Sequence, residues 1–155
     1  MPRCYLLAVS HSSSLDKGTN VLSLFHLVEG LTLHDSAMPP QGAIDVQLHV
    51  YWQCEPEEVG TTLEFRVVRR MADGLSEPGP SIVLPLTHRR FRFRTQGLRP
   101  PSRAGDLELR VQWRRQGEDD DAWREDPAWW PLDITHLPPA EESAQVADPT
   151  PGTSS

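Results

Sequence analysis

The sequence predicts an all-β protein: an antiparallel β-sandwich of about 7 to 9 strands, of the Ig-like or C2-like kind. Two observations carry that prediction. Apolar and polar residues alternate with a period of two in four separate stretches. Strand side chains point alternately to opposite faces, so each such stretch has one dry and one wet face. The 15 prolines and 10 glycines suit short strands and many turns rather than a helical bundle.

Cys4–Val9 reads as the first strand, and Ser10–Asn20 as a polar loop. Asp16, Lys17, Gly18, Thr19 and Asn20 supply turn chemistry, with Gly18 free to take positive φ. Val21–Leu27 is mostly apolar, which predicts a strand buried on both faces. Val28–Leu33 continues it through a bulge at Gly30. Met38–Gly42, with two prolines, breaks the chain before a long strand at Ile44–Cys54, where Val46, Leu48, Val50 and Trp52 alternate with Gln47, His49, Tyr51 and Gln53. Glu55–Gly60 is an acidic turn and Thr61–Arg70 the next strand; Asp73-Gly74 and Glu77-Pro78-Gly79-Pro80 then make a loop. Ile82–Leu86 contains Pro85, which cannot donate to a ladder and so marks an edge strand or a bulge. Arg89–Thr95 follows, then a loop to Arg103 with Pro100 and Pro101. Asp106–Arg114 is strongly alternating, and Trp123–Leu137 holds a last strand ending near Ile134. The domain is expected to span residues 3–137. From 138 to 155 the chain is Pro, Ser, Ala, Thr and acid, with little to bury, and is expected to be disordered.

A chain of 155 residues buries roughly 70% of its unfolded surface and needs neither disulfide nor metal to fold. The net charge of −7 opposes binding to nucleic acid or an anionic membrane. Lys17 is the one exception among 15 basic residues that are otherwise all Arg. Codon usage in a G/C-rich genome explains that bias more simply than selection for forked hydrogen bonding. No run approaches the roughly 20 apolar residues of a membrane helix, and Met1–Ser10 lacks a signal-peptide pattern. A cytoplasmic setting, with Cys4 and Cys54 reduced, is therefore expected. A Cys4–Cys54 bridge stays open at this point, because spacing alone does not give the geometry.

The segment Asn20-Val21-Leu22-Ser23-Leu24-Phe25 resembles the second strand of a bacterial β-sandwich domain family of unknown function, which carries an Asn-x-Leu-Ser-Leu-Phe-type motif. The resemblance covers roughly Tyr5 to Val111. It implies a small sandwich with no assigned activity, and it supplies no catalytic residues.

Two patterns are candidate binding residues. Arg90, Arg92 and Arg94 alternate with Phe91 and Phe93; with the rings in the core, the arginines form a cationic ridge able to grip carboxylate or phosphate. Arg66 or Arg110 on a neighbouring strand would widen it. Against that stands a solvated face neutralised by Glu64 or Glu108 or an edge protected by like charge; this plainer reading is favoured. Buried phenylalanines are unavailable for base stacking, which argues further against nucleic acid. Trp123, Trp129 and Trp130 form the second candidate, as an interface anchor or as a cap over the end of the sandwich. The six histidines lack ligand spacing. Ser12–Ser14 lack a nucleophile elbow, and the acidic turns match no calcium loop. No catalytic residue, metal or cofactor is expected. The leading expectation is a non-catalytic protein-interaction module with a protein partner or a second copy, and no membrane. The alternative is a small-ligand or carbohydrate-binding sandwich, supported by an exposed Trp129 or Trp130 beside polar groups. A metal-dependent or hydrolytic enzyme is third, since it needs three or more reactive groups in one cleft.

Overall fold

A computed structural model describes residues 1–34, 44–99 and 103–137. Its strands are β1 (Arg3–Leu15), β2 (Leu22–Leu27), β3 (Gly30–His34), β4 (Ile44–Gln53), β5 (Thr62–Met71), β6 (Ser76–Pro78), β7 (Ile82–Pro85), β8 (Arg90–Leu98), β9 (Gly105–Arg115) and β10 (Arg124–Leu137). One sheet runs β2-β1-β4-β8 and the other β3-β10-β9-β5. The outer edge of β5 is shared by β7, opposite Thr62–Phe65, and by β6, opposite Val68–Arg70. The chain is an all-β sandwich. Pro85 sits in edge strand β7, as its missing N–H requires. The segments expected to break at Met38–Gly42 and Pro100–Pro101, and the expected disordered tail at 138–155, lie outside the described residues.

Alternation builds the core. Val46, Val50 and Trp52 of β4, Leu63 and Phe65 of β5, and Leu109 and Val111 of β9 are all buried to within about a hundredth of their surface. Phe65 bridges the sheets: its ring meets Trp52 at 5.5 Å and Phe93 at 5.1 Å between centroids, both edge-to-face. Such pairs add about 0.5–1.5 kcal/mol beyond the area they bury.

Four expectations are corrected. First, β1 continues through Ser10–Leu15 instead of ending in a loop. The serines pair with β2 through main-chain bonds, Ser12 opposite Phe25 and Ser14 opposite Ser23, so no apolar pattern is needed. The turn itself is held by the Asp16 carboxylate, which accepts from Gly18 N at 2.8 Å and Thr19 Oγ1 at 2.7 Å. Positive φ falls on Asn20 (57°), not on Gly18. Second, β2 is not buried on both faces: it is an edge strand, with Val21, Phe25 and Leu27 exposed. Third, Gly30 is no bulge. The chain leaves one sheet at Val28, whose N–H donates to Val9 O at 2.9 Å, and enters the other as Glu29 O accepts from Asp133 N at 2.8 Å. The resulting β3–β10 pair is parallel. Fourth, β8 runs beyond Thr95 to Leu98, and Ser76–Pro78 is a strand rather than loop.

Phe65→Ala removes the ring on which both sheets rest. It is expected to cost about 3–5 kcal/mol, measured as a lower urea midpoint, whereas exposed Val83→Ala should change stability by less than about 0.5 kcal/mol.

Candidate binding surface

β8 lies at the edge of its sheet, so one side of its backbone has no strand partner among the described residues. Its period-two sequence divides its side chains. Phe91, Phe93 and Thr95 turn inward and are half-buried; Arg90, Arg92 and Arg94 turn outward and are exposed. On the neighbouring strand, Arg90 lies opposite Gln53, Arg92 opposite Tyr51 and Arg94 opposite His49.

The neighbours foreseen for this ridge are elsewhere. Arg66, Arg110, Glu64 and Glu108 belong to β5 and β9 of the other sheet. There they satisfy one another: Glu64 pairs with Arg114 at 2.7 Å and Glu108 with Arg110 at 2.6 Å, while Gln112 Oε1 accepts two bonds from Arg66. Glu64 is held below the usual carboxylate range, first by its bonds from Arg114 and Ser81. None of Arg90, Arg92 and Arg94 forms an ion pair with a described residue. The bonds of Arg92 and Arg94 go to neutral oxygens instead. Arg92 donates to Asn20 Oδ1 at 2.9 Å and to Asn20 O at 3.2 Å, and Arg94 donates to Ser13 Oγ at 2.9 Å. A guanidinium has five N–H donors, so each keeps donors to spare and its full charge.

These bonds hold the β1–β2 hairpin over the outer face of its own sheet. Beneath it, His49, Ser10 and Tyr51 are buried although the alternation puts them on the wet side. They satisfy one another. The Tyr51 hydroxyl lies 3.3 Å from His49 Nδ1, His49 Nε2 lies 2.9 Å from Ser10 Oγ, and Ser10 Oγ reaches Ser12 O at 3.1 Å. The cluster is a neutral brace. Burial, then the Arg94 charge, pushes the His49 pKa down.

The other side of β8 borders a groove of about 630 Å³ between the open edges of the two sheets. Leu98, Thr95 and Gly97 of β8 form one wall; Pro78, Pro80 and Ile82 form the other. Gly79 is required there: its N–H donates to Val67 O at 2.8 Å, and a Cβ would sit 2.9 Å from that oxygen. Arg69 ties the groove together, donating to Arg99 O at 2.8 Å and pairing with Glu77 at 3.3 Å. Sequence patterning does not reveal this groove, because it joins β8 to the β6–β7 connection; the Pro78-Gly79-Pro80 run is its one local sign.

The three tryptophans do not converge. Trp123 is sandwiched on the outer face of the second sheet, with Arg66 at 4.1 Å and Arg114 at 4.6 Å from its ring. Trp130 turns inward against the core and donates Nε1–H to Val28 O at 2.7 Å, capping the crossover. Trp129 turns outward, half exposed, with Arg110 at 5.6 Å. It borders a cleft of about 620 Å³ lined also by Glu29, Asp106, Glu108 and Asp133. Cys4 and Cys54 are unpaired and buried. Burial, then the Asp126 charge, pushes the Cys4 thiol up to about 12, which keeps it protonated at neutral pH. Among the described residues no group of three or more His, Cys, Asp and Glu is placed to hold a metal ion, and no helix is long and apolar enough to cross a membrane.

The His49 shift has a sign. Its folded pKa lies below the ordinary 6.5, so the unfolded chain takes up the proton first. The brace contributes fully above about pH 6.5, and its contribution falls as pH drops toward the folded value. Urea midpoints of the wild type should fall between pH 7.5 and 5 more steeply than those of His49→Gln. No protein-family model matches this chain, and no curated protein matches it.

Proposed function

We propose that this protein is a non-catalytic protein-interaction module of the bacterial cytoplasm, and that its contact surface is edge strand β8 with an acidic partner segment. The single observation that carries this is the row Arg90, Arg92, Arg94: three exposed cations on an otherwise acidic chain, with no carboxylate partner among the described residues. Most of the other strand arginines pair with a carboxylate. Forked donors and a concentrated positive field recognise carboxylates and speed encounter with them. The buried, unpaired thiols suit a reducing compartment. The likeness of Asn20–Phe25 to a bacterial sandwich family belongs to the same proposal.

Selection from a random peptide display library on the full chain tests it. Wild type is expected to enrich Asp- and Glu-rich peptides. Arg90→Glu with Arg94→Gln is expected to weaken the selected peptides at least about tenfold, or about 1.4 kcal/mol, with unchanged circular dichroism. Enrichment independent of charge, or equal binding by the variant, would contradict the proposal.

A second reading, a carbohydrate-binding sandwich, is favoured by the half-exposed Trp129 beside the polar cleft. An aromatic face with a few convergent polar groups is a general pocket for a sugar ring. Calorimetric titration with neutral hexose oligomers checks it: binding that Trp129→Ala abolishes supports it, and no heat at millimolar oligomer removes it.

A further inference from the structure

We infer that β8 captures its partner by strand addition, and that the partner segment alternates acidic and apolar residues. This rests on the acidic-partner reading above and adds the binding mode and the sequence code.

Three features meet on one strand. The free edge of β8 offers main-chain N–H and C=O groups that no described strand takes up, the template that an extended peptide extends. The outward row, Arg90, Arg92 and Arg94, is cationic. The inward row, Phe91, Phe93 and Thr95, is half-buried, and its end, Thr95 with Gly97 and Leu98 beyond it, lines the groove whose far wall is Pro78, Pro80 and Ile82. A strand added at this edge places successive side chains on opposite faces. One set stands beside the arginines, within the cross-strand distance at which opposite charges attract. The other set points between the sheets, where the groove gives apolar side chains a place out of water. A fully acidic segment would bury carboxylates there unpaired, and a fully apolar one would leave the arginines without partners. Period-two acid and apolar residues satisfy both faces. A second copy pairing through its own β8 would set arginine rows side by side, which like-charge repulsion disfavours. The occupant is therefore a different, acidic segment.

Fluorescence anisotropy with labelled nine-residue peptides on the full chain tests this. One peptide alternates Glu with Leu or Val, and a second alternates Glu with Ser. Two more repeat the first with backbone N-methyl groups on either odd or even residues. The Glu–Leu/Val peptide is expected to bind at least about tenfold more tightly than Glu–Ser. One N-methyl phase should abolish binding and the other leave it, because only alternate amides of an added strand face β8. Pro80→Gln, a neutral polar change at the exposed groove wall, should weaken the Glu–Leu/Val peptide and leave Glu–Ser unchanged. Equal binding of the two compositions, or indifference to both N-methyl phases, overturns strand addition and leaves the acidic-partner proposal standing. Failure of every acidic peptide to bind overturns both.

Discussion

The contact on which the rest of the molecule depends is the edge-to-face pair of Phe65 and Phe93, 5.1 Å apart across the interior. Phe65 belongs to β5, whose outer side carries only the short β6 and β7, and Phe93 to an edge strand, so this pair pins the open edge of one sheet to the neighbouring edge region of the other. With Phe93 inward, strand geometry leaves no choice for its neighbours: Arg92 and Arg94 face outward. The depth of the groove follows too, since it is the space left between β8 and the β6–β7 connection. The binding surface is thus a consequence of core packing.

The second constraint is the hairpin folded over the outer face. It takes His49, Ser10 and Tyr51 out of water, and buried polar groups need partners. The three groups meet that need among themselves and with Ser12 O. Together they brace the hairpin against the sheet. The same hairpin is clamped by Arg92 and Arg94 through neutral acceptors, which anchors those side chains without cancelling their charge. A carboxylate arriving at β8 therefore meets arginines already ordered, so little of the usual rotamer entropy is lost on binding.

Much of this was legible in the sequence. The alternation at Ile44–Cys54 and Asp106–Arg114 identifies the inward rows of β4 and β9 residue by residue, because the strand period is a local property. The alternation of Arg and Phe at 90–94 likewise identifies the cationic row. What was not legible depends on strand order and curvature. The apolar run Val21–Leu27 is the pattern of a strand buried on both faces, yet only long-range pairing makes β2 an edge. Arg66 and Arg110 have the same outward phase as Arg92, but they lie on the other sheet. His49 and Tyr51 are on the wet side by period and buried by the hairpin above them. Trp129 and Trp130, being consecutive, had to face opposite ways; which one faces the core follows from the register with β9.

Binding turns on the backbone edge of β8 that no described strand pairs. Residue-resolved amide hydrogen exchange, with and without a bound acidic–apolar peptide, tests it most directly. In the free protein the outward-directed amides of β8 should exchange quickly, while those bonded to β4 are protected. Binding should slow exchange at alternate β8 amides and leave β2 and β3 unchanged. Protection confined to another edge, or to the Trp129 cleft, would contradict the account.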